Sequence, residues 1–150
     1  MKKLFPWLTF FLLVLNIFIF MPALTVNGEV VNADELEIKN VIIGAVTCND
    51  WMQAKSPDKV KEILSKYYTG VKLTENTNSV WRFIKEPTDY YWVTSVDNCR
   101  LIYLSMDEVL VVVDIISTDI TSGEEDKGKG VFTVAKTNSG WKISDESYHW

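Results

Sequence analysis

The stretch that most narrows the fold is residues 109–118, VLVVVDIIST, a run of β-branched and leucine side chains with one carboxylate, Asp114, set in it. Such a run reads as a central strand. Alternation places Leu110, Val112, Asp114 and Ile116 on one face and Val109, Val111, Val113 and Ile115 on the other, so both faces are apolar enough to need cover. A short chain covers a sheet on two sides by laying helices against it or by curling the sheet over itself. This sequence carries the ingredients of both.

At the N-terminus, Lys2 and Lys3 precede an apolar run over residues 4–21, broken by Pro6, Thr9 and Asn16, and the next charge is Glu29. A basic start followed by an apolar stretch is the pattern of an export signal. Small residues stand at the right positions for cleavage after Gly28, with Val26 at minus three, and after Ala33, with Val31 at minus three. The cut after Ala33 is favoured, giving a signal peptide over residues 1–33 and a single domain over 34–150. The rival is an uncleaved anchor, since about 18 predominantly apolar residues can just span a bilayer. Either way the globular part is expected outside the cytoplasm, secreted or at the outer face of the cell membrane, and it meets lipid through the N-terminal segment alone. No cysteine stands within or just after the apolar run, which excludes a bacterial lipoprotein anchor.

The chain has 150 residues, and export would leave roughly 115 to 120, enough for one domain with its own core. Loss of Lys2, Lys3 and Glu29 takes the formal charge from −5 to near −6, which argues against nucleic acid as a partner. Cys48 and Cys99 would sit in a compartment that permits a disulfide. If they pair, the closed loop contributes on the order of 4 kcal/mol in the chain-entropy model; otherwise they pack as small hydrophobes. Their separation has no metal-site spacing, and with one histidine in the chain no metal or cofactor is expected.

Over residues 34–52, Ile38, Ile42, Ala45, Val46 and Met52 recur at helical spacing, with Val41, Cys48 and Trp51 widening the stripe. Asp34, Glu35 and Glu37 suit the positive end of the helix dipole, and Gly44 permits a close neighbour. Ser56-Pro57 starts a second helix, with Val60, Ile63, Leu64 and Tyr67 on one side and Gly70 as a left-handed closing cap. After the polar connection LTENTNS the pattern changes to period two. It predicts strands at residues 80–86, 90–96, 100–106, 109–118, 130–136 and 141–147. Turns fall at Pro87-Thr88, Asp97-Asn98, Asp107-Glu108 and Asn138-Ser139-Gly140, and residues 123–130, GEEDKGKG, form a longer loop.

Two helices followed by a strand meander is an α+β order, with the helices on one face of a curved antiparallel sheet of five to six strands. The helix pair, the tyrosine-rich YYTG turn after the second helix, the long antiparallel strands and the closing Gly140-Trp141-Lys142-Ile143 strand together resemble the nuclear transport factor two-like, cystatin-like superfamily. Small exported bacterial proteins of unassigned role are common in it. The resemblance covers nearly all of residues 34–150 and implies a cone-like sheet. It also implies a third helix before the main sheet, for which residues 72–79 offer a short candidate.

Enzymes of that superfamily, such as the ketosteroid isomerase-like and polyketide cyclase-like members, place an aspartate, a histidine or tyrosines at the cone wall. Asp114 is the matching candidate, because burial between Val113 and Ile115 would raise its pKa and make it a base, with Tyr103 or Tyr91 as hydrogen-bond donor. The plainer reading has Asp114 facing solvent or paired with Arg100 or Lys136. His149 is penultimate, so a nucleophile triad would rest on a fraying end. Glu124, Glu125 and Asp126 match no calcium loop.

The aromatic load is the stronger signal: Trp51, Trp81, Tyr90, Tyr91, Trp92, Tyr103, Trp141, Tyr148 and Trp150. Some of these rings either fill a curved sheet or stand exposed, and Trp81, Tyr91, Trp92 and Tyr103 are the candidate ligand-binding set. Three functions fit: an exported non-catalytic binding or assembly domain, a small-molecule isomerase-like or dehydratase-like enzyme with Asp114 as base, and an aromatic-platform binder of cell-wall glycan. The partners compatible with them are an envelope protein, a glycan, a small apolar ligand or a second copy of the chain.

Overall fold

Asn32 opens the first helix, α1 (Ala33–Thr47), by accepting a hydrogen bond from Asp34 N at 3.1 Å through its side chain. The computed structural model describes residues 32–86 and 92–150; the expected export segment, the expected turn at Pro87-Thr88, Tyr90 and Tyr91 lie outside them. Asp34 and Glu35 stand in the first turn of α1, and Ile38, Val41 and Ile42 make its buried stripe. The helix ends five residues before the expected position. Thr47 Oγ1 donates back to Ile43 O at 2.8 Å, Cys48 is extended, and Asn49 leads into a 3-10 turn over Asp50–Gln53. Threonine, asparagine and aspartate offer the backbone local alternatives to a continuing helix. Gly44 does admit a neighbour, since a Cβ there would collide with the Tyr67 ring.

Helix α2 (Pro57–Leu64) starts as its sequence predicts, with Ser56 Oγ accepting from Lys59 N at 3.2 Å and Pro57 in the first turn. Val60, Ile63 and Leu64 face the core. Gly70 does not close this helix. It has the positive φ expected of it, +60°, but uses it to launch a third helix, α3 (Gly70–Lys85). This corrects the reading of residues 80–86 as a strand and supplies the third helix that the resemblance implies, at twice the length residues 72–79 offered.

Four strands follow: β1 (Trp92–Tyr103), β2 (Glu108–Asp119), β3 (Glu125–Thr137) and β4 (Gly140–His149). They pair antiparallel in sequence order, so the sheet is a four-stranded meander with β2 and β3 inside. The two strands expected at 90–96 and 100–106 are one strand, interrupted by a bulge between Asp97 and Cys99 where Asn98 takes φ 47°. Asparagine tolerates that conformation in a bulge as readily as in a turn. The loop expected over 123–130 is mostly strand as well, because β3 already begins at Glu125.

The central strand is where the sequence places it, and the helices share one side of the sheet. Val109, Val111, Val113 and Ile115 are buried beneath them together with Phe132, Val134, Trp141 and Ile143. Burying side chains of this size stabilises by roughly 1.5–3 kcal/mol each. The opposite face is less covered than the sequence suggests, and Leu110, Val112, Asp114 and Ile116 are all half-exposed. The chain between α2 and α3 joins the edge of β4: Ile143 N donates to Tyr67 O at 2.8 Å and Thr69 N to Ile143 O at 2.9 Å.

Candidate functional site

A bulge in β4 decides what lines the space under the helices. Val134 pairs with Ile143, but Thr133 pairs with Asp145 and Phe132 with Glu146, so Ser144 is the extra residue. Strict alternation from Trp141 and Ile143 would turn Asp145 toward the helices. The bulge turns Glu146 and Tyr148 there instead.

Glu146 is held by three donors from three elements. Asn76 Nδ2 on α3 donates to Oε1 at 2.7 Å, while the Tyr68 hydroxyl, at 3.0 Å, and the Tyr148 hydroxyl, at 2.9 Å, donate to Oε2. Burial, with the Glu146 charge next in weight, pushes both phenol pKa values well above the ordinary tyrosine range. Both therefore stay neutral donors. The ring of Tyr148 also meets Phe132 edge-on, with centroids 5.7 Å apart.

Glu146 and Tyr68 form part of the wall of a hollow of about 270 Å³ between the end of α1, α3 and the start of β1. Trp51 and Trp92 provide its rings, and Cys48, Asn49, Ser79 and Thr94 its smaller polar groups. Trp51 is fixed twice: its indole N–H donates to Cys48 O at 2.7 Å, and its ring meets Phe83 edge-on at 5.9 Å. A small aromatic-walled hollow with a few fixed polar groups is the usual form of a small-molecule site.

The sequence-based candidates are scattered. Asp114 lies on the other face of the sheet, bonded to Lys129 Nζ at 2.6 Å and Asn98 Nδ2 at 3.0 Å. Lys129, followed by Asn98, holds its carboxyl below the usual value. It is thus a surface carboxylate satisfied by Lys129, with Arg100 nearby; Lys136 instead reaches Asp34 at 3.2 Å. Trp92 does line the hollow. Trp81 is half-buried on α3 with the Lys85 ammonium 4.6 Å from its ring centre. Tyr103 is half-exposed at the far end of β1, eleven residues and about 35 Å of strand from Trp92. Tyr91 lies outside the described residues.

Cys48 and Cys99 are both free thiols. Burial raises the Cys99 pKa, and its charged neighbours are Lys39 and Glu35. Those residues precede Cys48 on α1 by nine or more positions, about 13 Å of helix, whereas disulfide-bonded Cα atoms stand within about 7 Å. Among the described residues, no three His, Cys, Asp or Glu side chains gather as a metal site.

Glu146, Tyr68 and Asn76 were not singled out by the sequence, and Tyr148 was singled out only as one aromatic among many. No family model matches the chain, and no curated protein matches it. Solved structures do. A protein of unknown function from Pseudomonas putida, described as NTF2-like, is 14% identical with a TM-score of 0.52, over 78% of this chain and 86% of that one. A Nostoc punctiforme protein of unknown function with a cystatin-like fold is 11% identical with a TM-score of 0.52, over 76% and 88%.

The fold is nuclear transport factor two-like. A Novosphingobium aromaticivorans protein described as a candidate aromatic ring hydroxylase also shares this NTF2-like architecture, with 14% identity and a TM-score of 0.57 over 78% of this chain and 88% of that one. At such identities the likeness extends to the NTF2-like fold and no further.

Proposed function

We propose that this chain is an exported binding domain that takes a small molecule in the hollow beneath its helices. The observation that carries the reading is Glu146: a carboxylate fixed by donors from the α2–α3 connection, α3 and β4, at the wall of a space lined by Trp51 and Trp92. Such a group is oriented before any ligand arrives, which lowers the ordering cost of binding. Asp114, the base of the enzyme reading, does not line this hollow and pairs with Lys129 on the opposite face of the sheet. For the glycan-platform reading, Trp92 and Tyr103 stand at opposite ends of β1, and Trp81 is half-buried beside the Lys85 ammonium.

Export is supported by Lys2, Lys3 and the apolar run over residues 4–21. Among the described residues no helix is long and apolar enough to cross a membrane. Of the two cleavage positions, the Asn32 cap of α1 supports the cut after Gly28, which preserves it. The domain would then act in the medium or at the outer surface of the cell.

The test is a small-molecule screen read by tryptophan emission and amide chemical shifts. Binding in the hollow moves the Trp51 indole and the Ala45 and Thr94 amides together, and Trp92→Leu removes most of the emission change. A screen whose hits all shift Leu110 or Val112 and leave Trp51 and Thr94 still would place binding on the outer face and sink the reading.

A further inference from the structure

We infer that the ligand of this hollow is a small organic cation, an ammonium of compact hydrocarbon frame; the inference rests on the cavity reading above and adds the charge class. The first ground is a census of the lining. Among the described residues that line the hollow, Glu146 is the one acidic side chain, and no lysine, arginine or histidine is present. The wall therefore presents one acidic group and no basic one to whatever enters the hollow.

The second ground is that nearby cations are engaged elsewhere. Lys72, on the same helix as Asn76, pairs with Asp145 at 3.2 Å and with Glu75 at 3.3 Å. Lys85 lies over Trp81. Among the described residues no ion pair is made to Glu146. Its partners are neutral donors, which orient the carboxylate without cancelling it.

The third ground is a count of acceptor positions. A carboxylate offers about four lone-pair positions. Oε2 accepts from both tyrosines and Oε1 from Asn76, which leaves one position open, on Oε1. An ammonium N–H fills that position and meets the carboxylate charge, and Trp51 and Trp92 stand in the same wall as aromatic groups of the kind that favour a cation over a neutral ligand. An anionic ligand meets repulsion from Glu146 and finds no basic group among the described residues of the wall. A neutral ligand gains the apolar contacts but not the charge.

Three ligands of matched frame test this: cyclohexylammonium, cyclohexanol and cyclohexanecarboxylate, titrated into the protein with Trp51 and Thr94 signals as readout. The cation is expected to bind at least about tenfold more tightly than the alcohol, with the carboxylate weaker still. In Glu146→Gln, which keeps an acceptor oxygen for its neighbours, the advantage of the cation over the alcohol falls to about threefold or less. If the alcohol or the carboxylate matches the cation in the native protein, the charge inference fails and the cavity reading stands. If none of the three moves the Trp51 and Thr94 signals while a broad screen finds hits elsewhere, both fall. The native-protein series does not depend on the variant, so a poorly folded Glu146→Gln leaves the comparison intact.

Discussion

Tyr68 is where three parts of the molecule meet. Its backbone bridges to Ile143 at the edge of β4, its ring is 6% exposed in the core, and its hydroxyl reaches Glu146. Burying a phenol beside a carboxylate has a consequence for pH. The folded pKa lies above the ordinary 10.0, so the stabilisation it brings is intact below pH 10 and is lost as pH rises beyond it, when the unfolded chain gives up the proton and the folded one does not. The slope from this residue is at most about 1.4 kcal/mol per pH unit. Tyr68→Phe should cost about 1 kcal/mol at neutral pH through the lost hydrogen bond and should flatten the alkaline fall. Urea midpoints from pH 8.5 to 11 measure this; parallel curves for the two proteins would refute it. Asp114 makes the contrast, being held by Lys129 and Asn98 on the exposed face. Asp114→Asn should leave ligand affinity in the hollow unchanged, and an affinity loss of tenfold or more in the same titration would overturn its assignment as a surface residue.

At the scale of elements, legibility follows how each side chain spends its chemistry. The central strand and α2 could be read because burial and capping act on local sequence: alternate β-branched residues in one, Ser56-Pro57 and an i, i+3, i+4 stripe in the other. Helix α3 was hidden because its stripe runs through polar residues. Leu73, Thr77, Val80, Trp81 and Ile84 recur at helical spacing, but the inward Thr77 satisfies its hydroxyl on Leu73 O at 2.7 Å and passes in sequence for loop. Threonine and asparagine also have weak helix preference of their own, so packing decided the matter. The site was hidden by its bulge. Nothing in KISDES marks Ser144 as the extra residue, and one residue of register exchanges Asp145 for Glu146 on the inner face. The glycines of β3 have a clearer role. A Cβ on Gly130 would stand 2.6 Å from the Phe132 ring and 2.9 Å from Ile115 Cδ1, both fully buried. Gly130→Ala should therefore destabilise by about 1–3 kcal/mol through overpacking, read from the urea midpoint. A variant as stable as the parent would show that this part of the sheet yields.

At the scale of the whole molecule, the proposed export cut and the start of the first helix meet at Asn32. Asn32 precedes the first helical residue, accepts from Asp34 N through its side chain and from Leu36 N, at 3.1 Å, through its carbonyl. A cut after Ala33 removes both bonds and leaves a new α-ammonium on Asp34, at the positive end of α1. A cut after Gly28 retains the cap and sets the ammonium four residues away from Ala33. Losing a cap of this kind costs about 1 kcal/mol, and a positive charge at a helix N-terminus opposes the dipole by roughly a further 0.3–1 kcal/mol. Because α1 carries Ile38, Val41 and Ile42 into the core and ends at the hollow, that loss reaches the site as well as the scaffold. The protein recovered from the medium of an exporting cell should thus begin at Glu29, as shown by N-terminal sequencing and intact mass. A chain begun at Glu29 should also withstand more urea than one begun at Asp34. A secreted form starting at Asp34 that is as stable as the longer one would mean that α1 needs no cap and that Ala33 is the true boundary.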